Sequence, residues 1–380
     1  MNGNNNSATV RYTATCLFGL EGLLGSEIDK MGYKRCETMD GRITFEGPLS
    51  AAAVCNINFR FAERLYLNLA EFECRTFDQL FCGVREIAFE DWIGKNDAFP
   101  VRGHSIKSTL FSVPDCQRII KKAAATRLGK AYGLSVLPES GTKYQLDFFL
   151  FKDRASIMID LSGVPLHKRG YRPETVAAPL RETLAAAMVA LSRPRPGVVL
   201  RDPFCGSGTI VIEGAMMMKN IAPGVSRRFA AEEFPAFGPH IWSEARDSAI
   251  SAVTDGGGFI TVGSDIDPQC VRIAAESAVR AGVSDVASFY CDDALKLETG
   301  GLRGTVVTNP PYGERLMSDT GADSLYRDMG KCWQRLGRWQ IYVLTSHEGF
   351  QQLYGRRADK VRKLYNGMIP CYYYQFFKNK

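Results

Sequence analysis

Thr305-Val306-Val307-Thr308-Asn309-Pro310-Pro311-Tyr312 is a β-branched run that ends on two consecutive prolines. The run reads as a buried strand. Neither proline has an N–H to donate, and each restricts the residue before it, so the chain leaves the strand in a fixed, extended corner. A stiff turn at the carboxyl end of a strand is where open α/β sheets place ligands. The corner offers the Asn309 side-chain oxygen and the Pro310 carbonyl as acceptors, with the Tyr312 ring as a stacking face. That set suits a planar base carrying an exocyclic amine, because two acceptors take the two amine hydrogens while the ring covers the base.

Three further strands end in ligand-type residues. Val198-Val199-Leu200 runs into Asp202-Pro203-Phe204-Cys205-Gly206-Ser207-Gly208, followed by a helix from Thr209 to Met218. Phe259 to Gly263 runs into Ser264-Asp265-Ile266-Asp267, and Val286 to Tyr290 into Asp292-Asp293. In a doubly wound sheet these ends share one edge and line one cleft. The glycine turn lacks the third glycine of a dinucleotide site, since Val211 stands there, and no lysine follows it to make a P-loop. An acid after the second strand suits a ribose diol, and one after the third suits an adenine amine. A nucleoside-bearing cofactor without a pyrophosphate fits best, which is S-adenosylmethionine. Each acid has a plainer reading. Asp202 could cap the next helix, and Asp293 could be a turn residue, leaving Asp292 as the contact. Cys205, Cys270 and Cys291 read as inert, small apolar residues. Gln340 to Leu344 and Cys371 to Phe377 complete the sheet.

At 380 residues the chain is long enough for two or three domains. Its 45% hydrophobic and 23% charged residues are ordinary for a soluble protein. The polar start, Met1 to Ser7, has no signal-peptide pattern, and no apolar run approaches a membrane span, so a cytoplasmic protein without a membrane partner is expected. The 11 cysteines form no C-x-x-C pair and the four histidines are scattered, so no metal site is expected. The net charge of +6 matters only where it is clustered. Between Val101 and Ala131, seven cations face one acid, Asp115. A second basic run is His167-Lys168-Arg169-Gly170-Tyr171-Arg172. Either run alone reads as a solvated helix face or a linker; two of them upstream of an amine-binding corner point to a polyanion. Arg118, Lys121, Lys122, Lys168, Arg169, Tyr171 and Arg172 are the expected RNA contacts, although Arg169, Tyr171 and Arg172 read equally well as glue between domains. Upstream, Thr9 to Phe61 reads strand, helix, strand, helix, and Arg64 to Ser162 adds a basic helix beside a sheet. The segment Lys219 to Trp242 reads as an ordered excursion, because Phe229, Phe234, Phe237 and Trp242 need cover.

The strings Asp202 to Gly208, Gly263 to Asp267, Asp292-Asp293-Ala294 and Asn309-Pro310-Pro311-Tyr312 resemble, in order, the motifs of class I methyltransferases acting on exocyclic amines. Leu166 to Arg172, with Pro179-Leu180-Arg181-Glu182, resembles the entry of the RlmL-type rRNA guanine-N2 methyltransferases that carry a THUMP domain. The resemblance implies an α/β fold: a Rossmann-like class I methyltransferase domain at 166–380 with a mainly parallel seven-stranded sheet, preceded by an α+β module. That module would be a ferredoxin-like subdomain at 1–62 and a THUMP RNA-binding domain at 63–165. It implies S-adenosylmethionine, with Asp202, Phe204, Cys205, Gly206, Gly208 and Thr209 around its methionine end. Asp265 and Ile266 would meet the ribose side, Asp292, Asp293 and Ala294 the adenine, and Asn309 would border both cofactor and substrate. Asn309, Pro310, Pro311 and Tyr312 would be the catalytic set. The excursion lengthens the usual spacing from the glycine turn to Asp265. The implied target is the N2 amine of a guanine in 23S rRNA, free or in an assembly intermediate. A tRNA guanine-N2 target, DNA adenine-N6 and a non-catalytic RNA-binding role are the alternatives. A carbon-5 methyltransferase would need a cysteine nucleophile after its proline motif, and none follows Pro311.

Overall fold

The computed structural model describes residues 9–173, 180–311 and 319–377. The chain begins with β1 (Val10–Cys16), α1 (Glu21–Lys30), β2 (Lys34–Met39), β3 (Arg42–Gly47) and α2 (Ala51–Asn58). It continues with β4 (Ala62–Glu73), α3 (Phe77–Arg85), β5 (Val101–Ile106), α4 (Val113–Tyr132), β6 (Leu146–Phe151) and β7 (Arg154–Asp160). These strands form one seven-stranded sheet in the order β2-β3-β1-β4-β7-β6-β5. The 12-residue β4 makes it continuous: its first half pairs with β1 and its second half with β7. A division at 62/63 therefore falls at the start of a shared strand, not in a linker.

Local chemistry explains the elements. Thr76 and Gln79 close a capping box on α3. Pro114 sits in the first turn of α4, and Gly133 ends that helix in the left-handed region. Lys152 and Asp153, both at positive φ, form the hairpin turn between β6 and β7. Two strands of this sheet escape the periodicity reading. β2 is an edge strand exposed along most of its length, so it has no apolar alternation to betray it. β5 lies inside the basic stretch and pairs in parallel with β6.

The second half contains α5 (Glu182–Ser192), β8 (Val199–Asp202), α6 (Thr209–Met218), α7 (Pro239–Ser251), β9 (Thr261–Asp265), α8 (Pro268–Arg280), β10 (Ala287–Cys291) and β11 (Gly304–Thr308). It ends with α9 (Asp319–Trp333), β12 (Gln340–Thr345), α10 (Phe350–Tyr354), β13 (Lys360–Asn366) and β14 (Ile369–Phe376). The sheet order is β10-β9-β8-β11-β12-β14-β13. Pairings are parallel from β10 to β12, and β14 runs antiparallel to both its neighbours. This is the mainly parallel seven-stranded sheet that the resemblance implies. Its order reverses between β8 and β11, and such switch points are where ligands sit.

The excursion fastens the two halves together. Phe234 stacks on Tyr144 with ring centroids 4.0 Å apart, and Phe237 lies 6.1 Å from Trp92. The Arg227 guanidinium donates to the carbonyls of Leu166 and Val164, and the Gly224 N–H to Ile57. Phe229, Phe234, Phe237 and Trp242 are all buried, in a core that runs through both halves.

Candidate functional site

The site forms where β8 meets β11. Thr308, the last residue of β11, donates its hydroxyl to Asp202 Oδ1 at 2.6 Å, and the Phe204 N–H donates to the same oxygen at 3.1 Å. Asp202 is 1% exposed. Burial pushes its carboxyl up to about 7, against the hydrogen bonds from Thr308 and Phe204. Through Oδ1 the carboxylate thus ties the two strand ends across the switch point.

The turn is stapled to the end of β9. Cys205 donates its N–H to the Ser264 carbonyl at 2.9 Å, and Gly206 donates to Asp265 Oδ2 at 2.9 Å. Gly208, at φ +82°, packs so closely that a Cβ would come within 2.9 Å of Ala274 Cβ and the Phe289 ring. Gly206 differs: at φ +49°, a Cβ there would meet no atom within 4 Å. Its glycine serves backbone conformation beside open space, as a bound ligand requires. The Cys205 thiol is pushed up by burial and then by Asp202 and Asp265, so it is no nucleophile. Thr209 is buried, and its hydroxyl is held by the Arg172 guanidinium at 2.7 Å. Phe204 is half-buried against Trp333.

Asp265 is half-buried and fixed at both oxygens, Oδ1 accepting from the Asp267 N–H at 3.0 Å. Each oxygen keeps a second lone pair for a diol. Ile266 next to it is 77% exposed, an apolar face at the rim. Asp292 Oδ1 accepts from the Asp293 N–H, and the Asp292 N–H donates to the Asp265 carbonyl. Asp293 caps the short turn Ala294–Lys296 through the Leu295 N–H. The donor set, the rim isoleucine and the open space at Gly206 fit a nucleoside bearing a short amino-acid arm.

At the corner, Asn309 is half-buried, and its Oδ1 is shielded from solvent with no donor among the described residues. A buried acceptor without a donor costs on the order of 1–3 kcal/mol, so it marks a place where a donor is expected. Pro310 and Pro311 follow, and Tyr312 lies outside the described residues, as does Pro179. α9, which the sequence reading did not single out, supports both rims. Tyr326 donates its hydroxyl to the Pro311 carbonyl at 3.1 Å, and Trp333 Nε1–H to the Ala294 carbonyl at 2.9 Å. The available signal was the apolar stripe Ala322, Tyr326, Met329 and Trp333, spaced four, three and four apart.

The expected RNA contacts divide. Arg169 is 5% exposed and donates to the carbonyls of Leu166 and Arg60, with Glu213 at 3.5 Å. The buried Tyr171 hydroxyl meets Glu213 Oε1 at 3.1 Å. Arg172 meets Thr209, the Leu180 carbonyl and Glu182. Arg169 is corrected to domain glue, while the buried Tyr171 and Arg172 brace elements within the second half, because carboxylates from separate elements converge on all three. Lys121 is half-buried and already paired within the first half, with Glu139 at 2.6 Å and the Phe99 carbonyl. Arg118 is exposed beside Asp115. Lys122 and Lys168 are exposed with no ion pair among the described residues, as is Lys130. No cluster of three metal-ligating side chains occurs among the described residues, and no helix there is long and apolar enough to cross a membrane.

Comparisons with known proteins bear on this geometry. Residues 169–375 match the model of the RMKL-like methyltransferase domain, 11–66 that of the RlmL ferredoxin-like domain and 74–160 that of the THUMP domain. The chain is 42% identical over 373 residues to "Putative RNA methyltransferase YpsC" of Bacillus subtilis, covering 97% of this chain and 96% of that protein. It is 32% identical over 95% of its length to "Ribosomal RNA large subunit methyltransferase K/L" of Aliivibrio salmonicida, and spans only about half, 52%, of that relative. A solved structure of "SMU.472, a putative methyltransferase complexed with SAH" superposes with a TM-score of 0.91 at 38% identity, covering 98% of this chain and 99% of that one. Another, a "predicted N6-adenine-specific DNA methylase" from Listeria monocytogenes, gives 0.93 at 39% identity, covering 100% and 99%.

Proposed function

Because this chain belongs to the RMKL-like methyltransferase family, we propose that it transfers a methyl group from S-adenosylmethionine to the exocyclic N2 amine of a guanine in large-subunit ribosomal RNA. The observation that carries the reading is the shielded Asn309 Oδ1, without a donor among the described residues, beside the Pro310-Pro311 corner. S-adenosylmethionine, when bound, supplies a methyl group activated by its sulfonium. The Gly206 backbone gives way to the methionine arm, Asp265 receives the ribose hydroxyls, and Ile266 with Asp292 and Asp293 borders the adenine. Asn309 Oδ1 and the Pro310 carbonyl accept the two hydrogens of the target amine, which turns its delocalised lone pair toward the methyl carbon. The base must leave its stack to enter the cleft, where the resemblance makes Tyr312 its expected stacking partner. Transfer would form the C–N bond as the bond from sulfur to the methyl carbon breaks, with the amine's spare proton leaving to water. Catalysis on this reading is positioning and electrostatics, without a covalent enzyme intermediate.

The THUMP and ferredoxin-like matches and the K/L relatives support an RNA substrate. The printed name of the Listeria structure favours a second reading, DNA adenine-N6, since that amine asks for the same acceptors. Incubation with labelled cofactor and either deproteinised 23S rRNA or duplex DNA, followed by nucleoside analysis, separates the two. N2-methylguanosine in the rRNA is the expected product, and label in DNA alone sinks the proposal.

A further inference from the structure

The Pro310-Pro311 corner has a mechanical weakness. Two successive residues without an N–H cannot tie themselves to the sheet by donating, so the corner can be tethered only from outside, through a carbonyl. The structure supplies that tether. Tyr326, 0% exposed on α9, points its hydroxyl at the Pro311 carbonyl at 3.1 Å and lies 3.0 Å from Thr345 Oγ1. A carbonyl only accepts, so the single Tyr326 hydrogen goes to Pro311, and Thr345 must donate to the phenol oxygen. Thr345 Oγ1 in turn accepts from the His347 N–H at 3.1 Å. The result is a one-way chain from His347 N–H through Thr345 and Tyr326 to Pro311, in which each bond polarises the next.

The surroundings keep the phenol in place. His347 meets the Tyr326 ring edge-on at 5.6 Å, and Phe350 does so at 5.0 Å. Both His347 ring nitrogens are committed, Nδ1 accepting from the Gly349 N–H at 3.1 Å and Nε2 facing Asp323 Oδ1 at 3.0 Å, which makes this dyad a strut, not a base. Burial pushes the Tyr326 hydroxyl up to about 12, so it stays a donor throughout the working pH range.

We propose that Tyr326 is the positioning residue of the methyl-transfer step: by holding the Pro311 carbonyl it fixes the corner, and with it the spacing of the Asn309 and Pro310 acceptors that orient the target amine. This rests on the amine-methyltransferase reading of the corner. Thr345 is the second member of the device and acts only through Tyr326.

Tyr326→Phe removes one oxygen and keeps the ring packing, so it tests the tether alone. With 23S rRNA as substrate, kcat should fall about 10–100-fold, the scale of a small misplacement of reacting groups, while KM for S-adenosylmethionine and affinity for S-adenosylhomocysteine stay within about twofold. Thr345→Val, which leaves the Pro311 bond in place, should lose only a few-fold in kcat. A Tyr326→Phe enzyme with undiminished kcat, or one whose product affinity falls as far as its kcat, overturns the proposal. A crystal structure of Tyr326→Phe decides independently of activity: a displaced Pro311 carbonyl supports the tether and an unmoved one refutes it. Should the wild-type protein leave rRNA unmethylated, the substrate reading fails while the structural comparison still rules on Tyr326.

Discussion

Asp202 and Asn309 are two polar side chains at neighbouring strand ends, and burial gives them opposite jobs. Asn309 has an acceptor without a donor, whereas Asp202 is shared by Thr308 and Phe204. Asn309→Ala should therefore lower turnover by about 10²–10³ with cofactor affinity nearly unchanged, as loss of a positioned hydrogen-bonding group does. Equal loss of both, read by calorimetry and single-turnover kinetics, would contradict the role. The Asp202 carboxyl rises from 3.8 to about 7, because burial disfavours its charge. A folded-state pKa above the unfolded one stabilises the fold fully below the unfolded value, and that contribution is lost as pH rises toward 7. Asp202→Asn cannot titrate, so its stability relative to wild type should improve between about pH 4 and pH 7, by up to about 4 kcal/mol. Urea unfolding of both proteins at pH 5 and pH 8 checks this; a stability difference that does not change with pH would dismiss it.

At the scale of elements, α4 shows why a basic composition does not by itself define a nucleic-acid surface. Arg127 is spent on Glu90 and Lys121 on Glu139, and Arg102 on the preceding strand β5 is held by Asp147 and Asp160. Lys122 and Lys130 remain exposed, without an ion pair among the described residues. Replacing both by alanine should weaken rRNA binding and flatten the slope of log affinity against log salt by up to about 2, since each phosphate contact contributes roughly 0.9. Lys121→Ala should leave that slope unchanged. Filter binding across a salt series distinguishes them, and an unaltered slope for the double variant would move the RNA to another face.

For the whole molecule, the junction between the two sheets decides how the RNA module stands relative to the catalytic edge. Glu63 at the start of β4 holds His167, Arg181 and Thr183. Arg169 and Glu213 lie buried between the halves, and Arg60 reaches the Ile221 carbonyl at 2.7 Å. Together with the stacked aromatics of the excursion, this fixes how the first sheet is held against the second. Arg169→Ala would strand a buried carboxylate and should cost about 3–5 kcal/mol in denaturant unfolding. If Arg169 instead touched RNA, the variant would lose affinity at full stability, and that outcome would reverse the correction made above.

The amino-acid sequence determined the architecture at the catalytic edge by itself. Apolar strand runs interrupted by Asp202, Gly206, Asp265, Asp293 and the Pro310-Pro311 corner are local features, since turn geometry and strand periodicity depend on a few adjacent residues. It also located the excursion and its need for cover. Partnership was left to the tertiary structure. Arg169, Tyr171 and Arg172 read as a basic strip until Glu182 and Glu213 are brought beside them, and β2 carries no pattern because both of its faces meet water. Tyr326 has no distinguishing mark in the sequence, and only folding sets its hydroxyl on Pro311, 15 residues away. A side chain's charge and shape are written in its own position, but whether that charge is free or neutralised, and what a buried hydroxyl holds, depends on groups that only the packed chain brings into contact.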